Sequence, residues 1–141
     1  MAKIAIPIEG DTIFKGHFAH APEFLIYGSS GGEARLEERR SNPLSYSSAE
    51  EQDSPIHRYH GSSKYEFLRS KVLGDIDVLV VGGGCMTSIY YFMSQAVKLV
   101  FVDRDDNPVE ASRVADAIAS RAYLGQVSVY SEGSLVEVDN G

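Results

Sequence analysis

The run Asp77-Val78-Leu79-Val80-Val81, ending in Gly82-Gly83-Gly84, constrains the fold of this chain more than any other segment. Four consecutive aliphatic residues leave no polar face. The segment therefore reads as a strand covered on both sides, the condition of a parallel strand in an α/β sheet. Lys98-Leu99-Val100-Phe101-Val102 repeats the pattern, and between the two runs Ile89, Phe92, Met93 and Ala96 recur at helical spacing. Upstream, Ser63-Lys64-Tyr65-Glu66 has the form of a capping box, with Tyr65, Leu68 and Val72 on one helical face. Downstream, Asn107-Pro108-Val109-Glu110 predicts a helix with Asn as cap and Pro at its first position. Ala111, Val114, Ala115 and Ile118 form its apolar stripe, and Gly125 can end it.

The first forty residues differ. Lys3–Ile8 and Glu23–Gly28 read as strands, and Glu33–Arg40 alternates Ala34 and Leu36 against charges as a strand with one wet face would. These three predict an antiparallel meander. Ser41–Ile56 carries five serines, two prolines and Glu50-Glu51 with no apolar period, and is expected to be a surface insertion. The tail 126–138 alternates around Glu132-Gly133-Ser134, which suits an edge hairpin. The whole predicts one α/β domain over 1–141, a mixed sheet in the order βββ-α-β-α-β-α with helices packed on it.

Charge excludes one class of partner. Thirteen Lys and Arg stand against 20 Asp and Glu, a net charge of −7, and the one basic cluster, Arg35 to Arg40, is interleaved with Glu37 and Glu38. Phosphate backbones need clustered cations, so no nucleic-acid partner is expected. A single cysteine, Cys85, rules out an intrachain disulfide framework and suits a reducing setting. No apolar run reaches the roughly 18 residues of a membrane span, and the amino terminus lacks the form of a secretory signal. The expectation is a cytoplasmic protein that does not engage a membrane.

Three segments could carry chemistry. Gly16-His17-Phe18-Ala19-His20-Ala21-Pro22 sets two imidazoles three residues apart in a turn bracketed by Gly and Pro. Such a pair can coordinate a metal or move a proton at neutral pH; the alternative is a surface loop with incidental histidines. His57-Arg58-Tyr59-His60 repeats the spacing, and zinc would accept the four nitrogens if the loops converge. Gly82, Gly83 and Gly84 follow a buried strand and precede a helix, so their N–H groups could form an anion-binding nest. A dinucleotide fingerprint is the weaker reading, because Thr87 stands where a third small residue belongs. Cys85 at the mouth of that nest is either a thiolate ligand or a small packing residue.

Taken in order, these pieces resemble the dinitrogenase iron–molybdenum cofactor biosynthesis family of small carrier and scaffold proteins. The resemblance runs from about residue 3 to about 125, leaving out the serine-rich loop. It rests on Lys3-Ile4-Ala5-Ile6-Pro7, on His17-Phe18-Ala19-His20-Ala21-Pro22 with the strand that follows, on His60-Gly61, and on Asp75 to Gly83. The chain departs from the family at Ala19 and His20, where Gly and Arg are usual.

The resemblance implies a ribonuclease H-like mixed sheet and non-enzymatic binding or delivery of an iron–sulfur or iron–molybdenum-type cluster. Protein donors and acceptors of that cluster follow from the same likeness, and the oligomeric state stays open. It carries the ligand role to His17 directly and to His60 more loosely. His20, Gly82, Gly83, Gly84 and Cys85 join the site on the residue arguments above, with His17, His60 and Cys85 the expected metal ligands. A zinc protein and a ligand-free interaction module are the alternatives. A metal-dependent nuclease is disfavoured, because Asp75 and Asp77 enter one strand while Asp103 leaves another.

Overall fold

A computed structural model describes residues 2–45, 62–103, 105 and 107–138. Residues 46–56 of the serine-rich segment, and both His57 and His60, lie outside the described residues. Among those described, the elements in chain order are β1 (Ala2–Glu9), β2 (Thr12–Ile13), β3 (Glu23–Ser30), β4 (Glu33–Ser41), α1 (Ser62–Phe67), β5 (Val78–Val81), α2 (Met86–Ser94), β6 (Lys98–Val102), α3 (Ala111–Ala119), β7 (Val127–Ser131) and β8 (Ser134–Glu137). They form a mixed α/β fold on one sheet of strand order β4-β3-β1-β5-β6-β7-β8, with β2 paired to β1.

The sheet changes direction at β1. On one side β3 and β4 run antiparallel. The alternation in β4 does not mark a buried face, because the strand is exposed on both sides and Leu36 is 54% exposed. On the other side β1, β5, β6 and β7 are mutually parallel, and β8 returns antiparallel through the turn at Glu132 and Gly133, both at positive φ. Each face has its own core. Ile4, Ile6, Ile8, Val78, Val80, Val100 and Val102 pack with Val114, Ala115 and Ile118 of α3. Ala5, Leu79, Val81 and Leu99 pack on the opposite face with Phe92 of α2 and Tyr65 of α1. Coverage on both faces is why β5 and β6 read as unbroken apolar runs.

The helices depart from the sequence pattern at several points. Helix α1 already begins at Ser62, so Ser63 lies within it and does not cap it, and α3 ends at Ala119, short of Gly125. The third helix begins at Ala111, with Glu110 and not Asn107 as its cap. The segment before it bonds instead to the β1–β2 hairpin: Ile13 donates to the Val109 carbonyl, Ala111 to that of Asp11, and Glu110 bridges to Thr12. Helix α2 stops at Ser94, so Ala96 lies beyond it in the left-handed region at φ 61° and not on its stripe. Helix α1 widens into a π-helical turn at Leu68–Val72, closed by Leu73 N–H on the Leu68 carbonyl, and Leu68, Val72 and Leu73 are all buried.

Asn42 and Leu44 are packed into the interior and not part of a free loop, while Ser41 and Pro43 are exposed. Ser41 ends β4, Leu44 is buried, and the Asn42 amide, 6% exposed, donates to the carbonyls of Ala19 at 2.9 Å and Ala21 at 2.8 Å. A buried amide must find such partners, and here it fixes the histidine turn to the sheet.

Candidate functional site

The histidine turn folds as one 3₁₀ turn, Phe18–His20, between β2 and β3. His17 is its cap: the Ala19 N–H donates to His17 Nδ1 at 3.1 Å. Phe18 is fully buried and meets Phe92 edge to face at 5.4 Å, which anchors the turn over α2. The Phe18 N–H donates to the Gly83 carbonyl at 2.9 Å, so the turn and the glycine loop are joined backbone to backbone.

That junction explains the glycines. A Cβ at Gly82 would lie 2.2 Å from the Phe14 carbonyl oxygen, and one at Gly83 would lie 2.6 Å from those of Lys15 and Gly16. Close approach of two backbones therefore demands glycine at both positions, a packing reason independent of any bound anion. A cavity of about 190 Å³ does open beside the loop, lined in part by Gly82, Gly83, Gly84, Ile89 and Phe101. A larger concavity, about 600 Å³, lies elsewhere, between the start of α3 and the β7–β8 turn, with Asp105, Glu110 and Arg113 in its walls.

Cys85 follows the glycines as the cap of α2. Its side chain accepts from the Ser88 N–H while Ser88 Oγ accepts from the Cys85 N–H at 3.1 Å, a reciprocal box with sulfur in the place of oxygen. His17 Nε2 lies 3.3 Å from Cys85 Sγ, and the Tyr65 hydroxyl 3.2 Å from the same sulfur. The Tyr65 hydroxyl and His17 Nε2 are also 3.3 Å apart, their rings parallel within 1°. Cys85, His17 and Tyr65 thus form one cluster on three elements.

The electrostatics follow from the contacts. Because Nδ1 of neutral His17 accepts the Ala19 N–H, its proton sits on Nε2 and points toward Cys85. Burial, then the nearby Lys64 ammonium, push the His17 pKa below its ordinary value, which keeps the ring neutral. Burial pushes the Cys85 thiol up, but hydrogen bonds with Tyr65 and Ser88 and from the Ser88 and Thr87 amides outweigh it, and the net shift is down. Burial raises the Tyr65 phenol, helped by its bond to Cys85, so Tyr65 stays protonated and donates. The result is a half-buried sulfur with N–H and O–H donors around it, an environment that favours the thiolate.

His20 is arranged in the opposite sense. Its Nδ1–H donates to the Leu44 carbonyl at 3.1 Å, and Lys64 Nζ donates to its Nε2 at 2.6 Å. The ring lies 5.6 Å from that of His17. Lys64 of α1 thus brings its amine beside the histidine turn.

The sequence reading missed Lys64, Tyr65 and Ser88 as site residues. Helical spacing places Tyr65 on the core stripe, and it is buried, but its hydroxyl belongs to the site. The one available signal was their position in the first turns of the helices that follow His60-Gly61 and Cys85. Asp75 and Asp77 precede β5 while Asp103 follows β6; they bond respectively to Arg40, to the Lys3 N–H and to Ser131. Among the described residues no three His, Cys, Asp or Glu side chains are grouped to hold a metal, and no helix is long and apolar enough to cross a membrane.

No curated protein matches the sequence. Two solved structures share the fold: the crystal structure of PH0822, at 16% identity and TM-score 0.58 over 98% of this chain and 97% of that one, and the solution structure of TM1290 from Thermotoga, described as a candidate NifB protein of the DUF35 family, at 19% identity and TM-score 0.55 over 100% of both chains. The family model described as dinitrogenase iron-molybdenum cofactor matches residues 1–111, a span that contains the histidine turn, Tyr65, the glycine loop and Cys85. The chain belongs to the dinitrogenase iron-molybdenum cofactor family.

Proposed function

We propose that this protein binds an iron–sulfur-type metallocluster, or a precursor of one, at the Cys85–His17 pair and hands it on without itself catalysing a reaction. The single observation that carries the reading is the contact of 3.3 Å between His17 Nε2 and Cys85 Sγ. A thiolate is the ligand that soft iron–sulfur species prefer, and the hydrogen bonds that lower the Cys85 pKa favour that form. Few ligands also suit a cargo that must leave again. Family membership supports a link to iron–molybdenum cofactor biosynthesis, and hence to protein donors and acceptors. In the same reading the sheet is a ribonuclease H-like arrangement, the protein works in the reducing cytoplasm, His60 joins the ligands, and the Gly82–Gly84 amides stabilise the negative charge of the cluster.

The test is elemental analysis for iron, sulfide, zinc and molybdenum in protein purified without oxygen, with its visible absorption. Iron together with sulfide and a charge-transfer band supports the carrier. Zinc without sulfide favours the divalent-metal alternative, and protein that stays empty through reconstitution favours a ligand-free interaction module.

A further inference from the structure

The hydrogen-bond polarity around the sulfur says what kind of cargo the site accepts. We infer that His17 meets the cargo as an N–H donor to sulfide, not as a metal ligand, and so selects sulfide-bearing anionic clusters over bare divalent cations; the inference rests on the carrier reading above.

A neutral imidazole that ligates a metal through Nε2 carries its proton on Nδ1, and that proton ordinarily donates to a carbonyl or carboxylate. His17 has the reverse arrangement. Its Nδ1 faces the Ala19 N–H at 3.1 Å, a donor. Moving the proton to Nδ1 would set two N–H groups against each other and remove the cap of the Phe18–His20 turn. Rotating the ring to avoid that clash would likewise give up the cap and carry Nε2 away from Cys85. The turn itself is held by Asn42 and by the bond from Phe18 to Gly83, so it cannot shift cheaply. His20, three residues on, supplies the internal contrast, since its Nδ1 faces the Leu44 carbonyl as a metal-ligating ring's would.

The neighbours share the polarity. Tyr65 presents its O–H to the same sulfur at 3.2 Å, and the Lys64 ammonium is close enough to interact with the Cys85 charge. A bare cation at this position meets one thiolate and a set of donor hydrogens. An anionic cluster meets the thiolate through its metal and the donors through its sulfides.

Two measurements test this. Long-range proton–nitrogen correlation NMR on the empty protein at pH 8 is expected to show His17 protonated on Nε2, and an Nδ1-protonated ring would overturn the inference. Anaerobic reconstitution with iron and sulfide then compares His17→Gln, which keeps an N–H near the Nε2 position, with His17→Ala; both lose the Nδ1 cap equally. A hydrogen bond to a charged partner predicts that His17→Ala weakens uptake by at least about tenfold while His17→Gln stays within about threefold of wild type. Equal loss in the two variants, or tight binding of Co²⁺ alone that both abolish, would overturn the donor role and leave the carrier reading intact. Failure of the wild-type protein to take up any cluster would overturn both.

Discussion

The Tyr65 hydroxyl and Cys85 Sγ lie 3.2 Å apart, joining the first turn of α1 to the cap of α2 over the buried end of β5. The pair makes the thiol more acidic than its burial alone would allow, because Tyr65 holds its proton and offers it to the thiolate. Tyr65→Phe is therefore expected to raise the pH at which Cys85 becomes reactive. Alkylation rate against pH checks it: the midpoint moves up in Tyr65→Phe, and an unchanged midpoint would remove Tyr65 from the site.

Asn42 predicts a stability effect that its place beside a serine-rich segment hides. It is 6% exposed and satisfies two carbonyls of the histidine turn. Asn42→Ala leaves both without that donor and should cost about 1–3 kcal/mol of unfolding free energy in urea. Amide exchange should also speed up at Phe18–Ala21 more than in β5.

Arg40 and Asp75 predict the acid limb of the stability curve. Arg40 holds the Asp75 carboxylate through two contacts of 2.8 Å and also donates to the Val72 carbonyl, tying the edge strand β4 to the end of the π-helical turn. The bonds from Arg40, then that from Lys3, keep the Asp75 pKa well below the usual carboxylate range. A folded pKa below the unfolded one means that the stabilisation is complete above about pH 4 and is lost as pH falls below it. Arg40→Met should flatten the loss of stability between about pH 4 and pH 2, measured by urea midpoints across that range.

Ala96 sits at φ 61°, where a Cβ is strained and glycine is not. Ala96→Gly should raise stability by about 0.5–1 kcal/mol despite removing a methyl group. A lower melting temperature would show that the side chain contributes packing that outweighs the strain.

The parts of the fold that were legible in the sequence are those whose burial leaves a local mark. Val78–Val81 and the core of Lys98–Val102 have to be apolar throughout because both faces of the sheet are covered there. The start of α3 was not legible, because Asn107-Pro108 is a sound local cap signal and bonds to the β1–β2 hairpin override it. Strand β2, only Thr12–Ile13, is too short for a periodicity.

The site divides the same way. His17 and Cys85 were visible as reactive residue types, but their meeting across 68 residues is a property of the folded sheet. The glycines were visible, yet their reason lies in the Phe14–Gly16 backbone that presses on them, which no spacing within the loop announces.

Cys85 is the residue on which cluster binding depends most directly. Protein reconstituted with iron and sulfide without oxygen should show a visible charge-transfer band in the wild type and lose it in Cys85→Ala, with the fold retained by circular dichroism. A band of equal strength in folded Cys85→Ala would contradict the assignment of the cargo to this cysteine.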